Sequence, residues 1–162
     1  MPGKSDLSKL NCSVAGALSI VGDWWALLIV RDALIGVRRF GEFQQSLGLA
    51  KNILADRLRR LVDDGVMARE GSERRPLYRL TDKGLALAPT LIALMQWGDR
   101  WVSGSRAPVV VTDSEGREID PVELQAVGRV LNPADLRFEA GVGAEPDTRM
   151  FLAWMATRSD PA

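Results

Sequence analysis

Residues 51–64 place apolar and polar side chains on opposite faces of a predicted helix, and this segment constrains the fold more than any other. The apolar face repeats at i, i+4, i+7 and i+8 through Leu54, Leu58, Leu61 and Val62. The opposite face, here called the polar stripe, consists of Lys51, Asn52, Ala55, Asp56 and Arg59. A helix with one buried face and such a stripe on the other can lie in the major groove of DNA.

A short hairpin is predicted directly after this helix. Gly65 is expected to end the helix, and residues 66–69 and 77–80 have the composition of strands. Between them, residues 71–76 favour a turn. Arg74 and Arg75 near its tip could reach phosphates or the minor groove; alternatively they only keep the hairpin soluble. Helix and hairpin together predict a winged helix.

The segment before residue 51 predicts the other half of a helix-turn-helix. Residues 42–47 form a short predicted helix whose core face is Phe43 and Leu47, and residues 48–50 form a tight turn. Arg38 and Arg39 precede this helix, where it would approach the DNA backbone.

Two further helical segments flank the motif. Residues 11–21 are predicted as a helix capped by Asn11, and residues 24–35 as a helix that is apolar nearly all round. Such a helix is buried, either in the core or against another subunit. After the wing, Thr81 is expected to cap a helix over residues 82–102 that is kinked at Pro89.

This last helix carries a broad apolar surface that implies a partner. Its predicted face consists of Leu85, Ala88, Leu91, Ile92 and Met95, widened by Leu94, Trp97 and Trp101. Together with the N-terminal helix it is a natural seam for a homodimer. Trp24, Trp25, Trp97 and Trp101 could also line a pocket for a small aromatic effector, the alternative being core packing.

The C-terminal third is predicted to contain more strand than helix. Residues 103–108 have linker composition, residues 109–119 resemble a hairpin, and apolar alternation predicts half-buried strands over 122–126 and 136–140. A short helix is predicted over 148–157. The predicted organisation is therefore a flexible arm (1–10), a winged-helix and dimerisation domain (11–103) and a small β-rich appendage (104–162). The expected fold class is α+β and mainly helical.

Composition limits the functional classes. The longest apolar run, residues 24–30, is far shorter than a membrane span of about 20 residues, and no secretory signal is apparent. One cysteine excludes an intramolecular disulfide, so a reducing cytoplasm is expected. The net charge is zero, but residues 37–80 carry ten Lys/Arg against six Asp/Glu. That basic centre fits local phosphate contact, or reflects scatter in surface charge.

Several motifs follow one another at characteristic spacings. They are Cys12 near the start of the first helix, Gly22-x-Trp24-Trp25 through Arg31-Asp32, Arg39-Phe40-x-Glu42-Phe43, Ile53-Leu54-x-x-Arg57-Leu58-x-x-Leu61, Asp64-Gly65, and Tyr78-x-Leu80-Thr81-x-x-Gly84. In this order and spacing they resemble the HxlR-type, MarR-like regulators. The resemblance implies dimeric winged-helix transcription factors that bind inverted-repeat operators. It also implies that the first and last helices of the domain carry the dimer contact.

The chain departs from this family pattern at two places. Ala50 stands where many relatives have Ser or Thr, so the side-chain cap of the second helix is missing. The tail resembles an extension in which cysteine pairs suggest metal, but here Cys12 is the only cysteine and histidine is absent. A zinc site of the usual kind is therefore excluded, and no cofactor is expected.

Individual site residues each have two interpretations. Lys51, Asn52 and Arg59 could read bases, or form a solvated helix face. Asp56 would repel phosphate and could pair with Arg60 at i+4 instead. Arg57 could bond a phosphate or hold the helix to its neighbour.

Cys12 could be a sensor of oxidants or electrophiles. Its expected position at a helix N-terminus makes a thiol more reactive, and some relatives use a cysteine there in this way. The alternative is that Cys12 serves as a small buried hydrophobe.

These features predict a homodimeric, sequence-specific DNA-binding repressor that acts in the cytoplasm at the nucleoid. The alternative is a winged helix used only as a protein-interaction module. An enzyme is not expected, because the chain has no histidine, no phosphate-binding glycine loop and no compact pair of carboxylates.

Overall fold

The computed structural model describes residues 7–104 and 106–158, so residues 1–6 of the predicted arm lie outside the described part. The helices are α1 (Ser13–Val21), α2 (Trp24–Leu34), α3 (Phe40–Leu47), α4 (Lys51–Asp63), α5 (Asp82–Leu85), α6 (Ala88–Trp101) and α7 (Pro146–Ala156). The strands are β1 (Met67–Ser72), β2 (Arg75–Leu80), β3 (Gln125–Ala126) and β4 (Arg129–Val130). Short 3₁₀ turns span Leu7–Lys9 and Pro133–Asp135.

The chain divides into two compact units. One consists of residues 20–122; the other combines the residues up to 19 with those from 123 onward. The domain division predicted at residues 10 and 103 stays a prediction.

The core of the larger unit is built where α2, α3, α4 and the β1–β2 hairpin meet. Its fully buried large side chains include Ile29, Phe43, Leu54, Leu58, Leu61 and Met67. The rings of Phe43 and Tyr78 meet edge to face, with centroids 6.5 Å apart. The apolar face predicted for α4 is therefore the face that closes this core, and the predicted winged helix-turn-helix architecture is confirmed.

Helix α2 begins at a side-chain cap and is buried along one side. The carboxylate of Asp23 accepts a hydrogen bond from the backbone N–H of Trp25 at 3.0 Å. Ile29 and Val30 are fully buried, whereas Trp24 is 73% exposed. The expectation of a helix buried all round therefore does not hold within this chain.

The wing is longer than its sequence suggested. β1 and β2 pair in antiparallel register from Met67 opposite Leu80 to Ser72 opposite Arg75. Only Glu73 and Arg74 form the turn, so the predicted six-residue turn over 71–76 was too long. Turn-forming residues marked the end of the hairpin, but register depends on cross-strand pairing that composition does not specify.

The helix predicted over 82–102 is interrupted. α5 ends at Leu85, and Pro89 lies in the first turn of α6, where its missing N–H removes no helical hydrogen bond. The four residues of the predicted apolar face that lie on α6 are half-buried: Ala88, Leu91, Ile92 and Met95. Leu85, which lies on α5, is exposed.

The smaller unit contains residues 13–19 of α1, together with α7 and the β3–β4 hairpin. The predicted first and last helices are confirmed, but the cap predicted at Asn11 is wrong. Its side-chain oxygen accepts hydrogen bonds from the N–H of Glu145 and the hydroxyl of Thr148, both at 2.9 Å. The strand predicted over 136–140 is also wrong, and within 122–126 the described structure has only Gln125–Ala126 as a strand, paired with Arg129–Val130. Alternation predicts a strand only where a partner strand is available.

Among the described residues, no single helix is long and apolar enough to cross a membrane. The helices Ser13–Val21 and Trp24–Leu34 would be long and apolar enough only if taken together, and the chain bends by 77° between them.

Candidate nucleic-acid interface

The turn between α3 and α4 sets the angle at which α4 is presented. Gly48 adopts a left-handed conformation (φ 64°), and its N–H donates to the carbonyl of Gln44 at 2.9 Å. Leu49 is buried and anchors the turn to the core. Ala50 then begins α4 without a side-chain cap, as predicted, and its carbonyl accepts the N–H of Leu54.

The polar stripe lies at the surface of α4, opposite the buried face. Lys51, Asn52, Ala55 and Arg59 are exposed, and Asp56 is half-buried. The amphipathic pattern therefore orients this helix as the sequence predicted. Base reading by these side chains stays a prediction.

Most charges on α4 are already paired. Asp56 lies 2.6 Å from Arg59, 2.6 Å from Arg57 and 2.9 Å from Arg60, which includes the predicted i+4 pair. Partial desolvation raises the pKa of Asp56, but the contacts with these arginines, Arg59 foremost, outweigh it and lower the pKa overall. Asp56 therefore stays ionised at neutral pH and neutralises part of the positive charge of the helix.

Arg57 joins α4 to α2. Its guanidinium lies 2.9 Å from the carboxylate of Asp23, and only 22% of the Arg57 side chain is exposed. This geometry matches the second of its two predicted roles, holding the helix to its neighbour. Contact between Arg57 and a phosphate stays a prediction.

Arg38 and Arg39 differ in their surroundings. The guanidinium of Arg38 donates to the carbonyl oxygens of Ala33 and Val37, so it closes the C-terminus of α2. Arg39 is exposed. The carboxylate of Glu42 accepts the backbone N–H of Arg38 at 3.1 Å and of Arg39 at 2.9 Å. These two bonds lower the pKa of Glu42 and fix the start of α3.

The wing carries four arginines, two of which the sequence interpretation did not consider. Arg74 lies in the turn and Arg75 begins β2; both are exposed. Arg69 donates to the carbonyl of Glu73 at 3.3 Å, and Arg79 pairs with Glu70 at 2.9 Å. Their position on the two strands beside the basic tip could have indicated Arg69 and Arg79 as further members of a basic wing. Within the described residues, Arg74 and Arg75 form no ion pair, so their charges are available to a ligand.

Thr81 and Gly84 lie at the junction between the wing and α5, and each makes a close contact that requires its residue type. The hydroxyl of Thr81 lies 2.7 Å from the carbonyl oxygen of Gly65 and accepts the N–H of Gly84 at 3.3 Å, as its predicted cap role requires. At Gly84 a Cβ would lie 2.2 Å from the carbonyl oxygen of Val66. This close approach, which only glycine permits, places α5 directly against Val66, between the end of α4 and the start of the wing.

Cys12 is exposed immediately before α1, and its carbonyl accepts the N–H of Gly16. It lines a groove of about 440 Å³ with Asn11, Glu139, Thr148 and Leu152 among its other walls. The alternative of a small buried hydrophobe does not match this exposure. Sensing by the thiol stays a prediction.

The four tryptophans considered as a pocket lining, Trp24, Trp25, Trp97 and Trp101, do not share one environment. Trp25 packs against the core, whereas Trp24, Trp97 and Trp101 are exposed. Neither the groove beside Cys12 nor the small cavity between α6 and residues 107–119 is lined by any of them. Within the described residues, no three acidic, histidine or cysteine side chains cluster as metal ligands would.

Comparison with known proteins agrees with this architecture. The uncharacterized HTH-type transcriptional regulator Rv3095 of Mycobacterium tuberculosis is 42% identical over 101 residues, which are 60% of this chain and 64% of that protein. The chain thus spans less than two thirds of that relative's length. The crystal structure of PA1607, a candidate transcription factor, superposes with a TM-score of 0.74 at 44% identity over 85% of this chain and all of that one.

A third similar structure is the redox regulator HypR in its reduced form, with a TM-score of 0.51 at 28% identity over 58% of this chain and 99% of that one. The sequence profile of the HxlR-like helix-turn-helix family matches residues 20–106, more than half of the chain. The match covers α2, the helix-turn-helix, the wing and α6, which are the elements that build the site. The chain belongs to the HxlR family of helix-turn-helix proteins.

Proposed function

We propose that this protein is a homodimeric transcriptional regulator, acting as a repressor, that binds an inverted-repeat operator through the polar stripe of α4. The observation that carries the proposal is the combination of a surface stripe with an exposed basic wing tip, on a family fold whose relatives are called HTH-type transcriptional regulators. A two-fold pair of such helices fits successive major grooves of one duplex. The site of action is the cytoplasm, at the nucleoid.

The dimer is supported by apolar side chains left exposed on the two helices that the family resemblance points to. These are Val14 and Leu18 on α1, and Leu94, Trp97 and Trp101 on α6. Surfaces of this kind are costly to leave in water, and a second copy is the simplest partner that buries them.

The deciding experiment is selection of bound DNA from a random pool. We expect an enriched palindrome whose half-site centres lie about 10 bp, or a multiple of one helical turn, apart. Titration of that DNA at several salt concentrations should give a log–log slope near −7 if each subunit neutralises about four phosphates. No enriched palindrome together with a slope near zero would support the alternative, a module that binds proteins only.

The polar stripe is tested by single substitutions. Asn52→Ala and Arg59→Ala should each lose about 1–3 kcal/mol of discrimination against the wrong base. Arg60→Ala is the matched control, since it removes a charge from the same helix outside the stripe. Equal losses in all three variants would contradict base reading by the stripe.

Release from DNA is proposed to follow modification of Cys12 or binding of a small aromatic compound. The exposed thiol in its groove supports the first route, and HypR is described as a redox regulator. Diamide should release the wild-type protein from operator DNA but not the Cys12→Ser variant, measured by fluorescence anisotropy. Unchanged release in the variant would exclude this thiol as the sensor.

A further inference from the structure

Asp56 is the acidic member of the polar stripe, and it is the centre of an ion-pair network. One carboxylate oxygen contacts Arg59 at 2.6 Å, and the other contacts Arg57 at 2.6 Å and Arg60 at 2.9 Å. The side chain of Asp56 is 30% exposed. One carboxylate thus holds three guanidinium groups on the helix proposed to enter the groove.

The network has a direct consequence for Arg59. Arg59 is 63% exposed and would otherwise sample many rotamers. Its short contact with Asp56, supported by a longer one to Asp63 at 3.4 Å, restricts it before any ligand arrives. A guanidinium that is already oriented loses less freedom when it makes a bidentate contact with a base.

The same carboxylate opposes binding that does not depend on sequence. Phosphate attraction supplies most of the affinity for arbitrary DNA, and it grows with the number of uncompensated cations. Asp56 compensates charge on the three arginines and would itself repel a nearby phosphate. Discrimination between partners commonly uses such a repulsive element beside the attractive ones.

We propose that Asp56 is a specificity-determining residue, which positions Arg59 for base contact and suppresses attachment of α4 to DNA of arbitrary sequence. The inference rests on the proposed DNA binding. It adds that an acidic side chain on the contact surface improves discrimination although it weakens overall affinity.

The test measures binding of operator and non-operator duplexes at several salt concentrations. Asp56→Asn should tighten non-operator binding, reduce the operator to non-operator ratio about tenfold, and steepen the log–log salt slope by about one to two for a dimer. Asp64→Asn is the matched control, because it removes the same charge at the C-terminus of the same helix but leaves the Asp56 contacts and the Arg59–Asp63 pair in place. Asp56→Glu, which keeps the charge, should restore most of the ratio.

Equal effects of Asp56→Asn and Asp64→Asn would overturn the proposal, since bulk charge alone would then explain them. An unchanged ratio in Asp56→Asn would overturn it as well. A purely structural role would lower the unfolding midpoint without changing the salt slope. If Asp56→Asn folds poorly, Asp56→Ser removes the same charge and allows the same comparison of the binding ratio and the salt slope. Failure of the wild-type protein to select any DNA would instead remove the proposed function, before the variants are compared.

Discussion

The guanidinium of Arg57 lies 2.9 Å from the carboxylate of Asp23, the residue that caps α2. This ion pair joins the helix that carries the polar stripe to a helix at the centre of the core. Both side chains are partly buried, and the Nε of Arg57 has no hydrogen-bond partner among the residues that the structure describes. The orientation of α4 therefore depends on a contact between residues far apart in the chain.

Replacing Arg57 separates its two predicted roles. Arg57→Met should lower the free energy of unfolding by about 1–3 kcal/mol, because it leaves a partly buried Asp23 without its partner. If Arg57 only anchors the helix, the salt slope of operator binding stays at the wild-type value. A slope reduced by about two for the dimer would show that Arg57 contacts a phosphate instead. Urea unfolding and anisotropy titration provide the two measurements.

Gly84→Ala should be severely destabilising. The added Cβ would lie 2.2 Å from the carbonyl oxygen of Val66 and 2.9 Å from the side chain of Leu80, and the backbone oxygen cannot move away cheaply. We expect a loss of about 2–4 kcal/mol, as for other overpacked or strained sites. The control is Gly41→Ala in α3, where a Cβ meets no described atom within 4 Å and helix propensity should add up to about 1 kcal/mol of stability. Equal stability of both variants in urea would contradict the packing argument.

Glu42 predicts a defined acid sensitivity. Its carboxylate accepts the N–H groups of Arg38 and Arg39, which lower its pKa in the folded state below the ordinary value of 4.5. A lowered folded-state pKa means that the contribution to stability is complete above 4.5 and is lost as the pH falls through the folded-state value. Glu42→Gln should therefore be less stable than the wild type at neutral pH, and the difference should shrink on acidification. A difference that is independent of pH would show that ionisation of Glu42 does not contribute.

The wing tip should contribute charge rather than sequence information. Arg74→Ala and Arg75→Ala should each weaken binding to all duplexes alike and make the salt slope shallower by about two for a dimer, one phosphate per subunit. Arg79→Ala serves as the control, because Arg79 lies away from the tip and is paired with Glu70. If all three variants change the slope equally, the tip has no special role. A change confined to operator DNA would indicate that the wing reads bases.

Most of the larger unit could be predicted because its signals are local. The 3.6-residue period of Leu54, Leu58 and Leu61 determines which face of α4 is buried, and Asp23 and Thr81 cap the helices that follow them. In contrast, the strands predicted over 122–126 and 136–140 relied on alternation alone, and in the described part of the chain only Gln125 and Ala126 among them have a strand partner. A strand depends on partners elsewhere in the chain, whereas a helix satisfies its own backbone.

By itself, the sequence determined the class of fold, the polar stripe and the basic wing, since each depends on side chains within one or two turns of chain. Only the tertiary structure decided how those residues are used. It places Arg57 against Asp23, packs Gly84 on the carbonyl of Val66 and turns the side chain of Asn11 toward Glu145 and Thr148. The residues in each of these contacts are 18 or more positions apart in the sequence, so they meet only once the chain has folded.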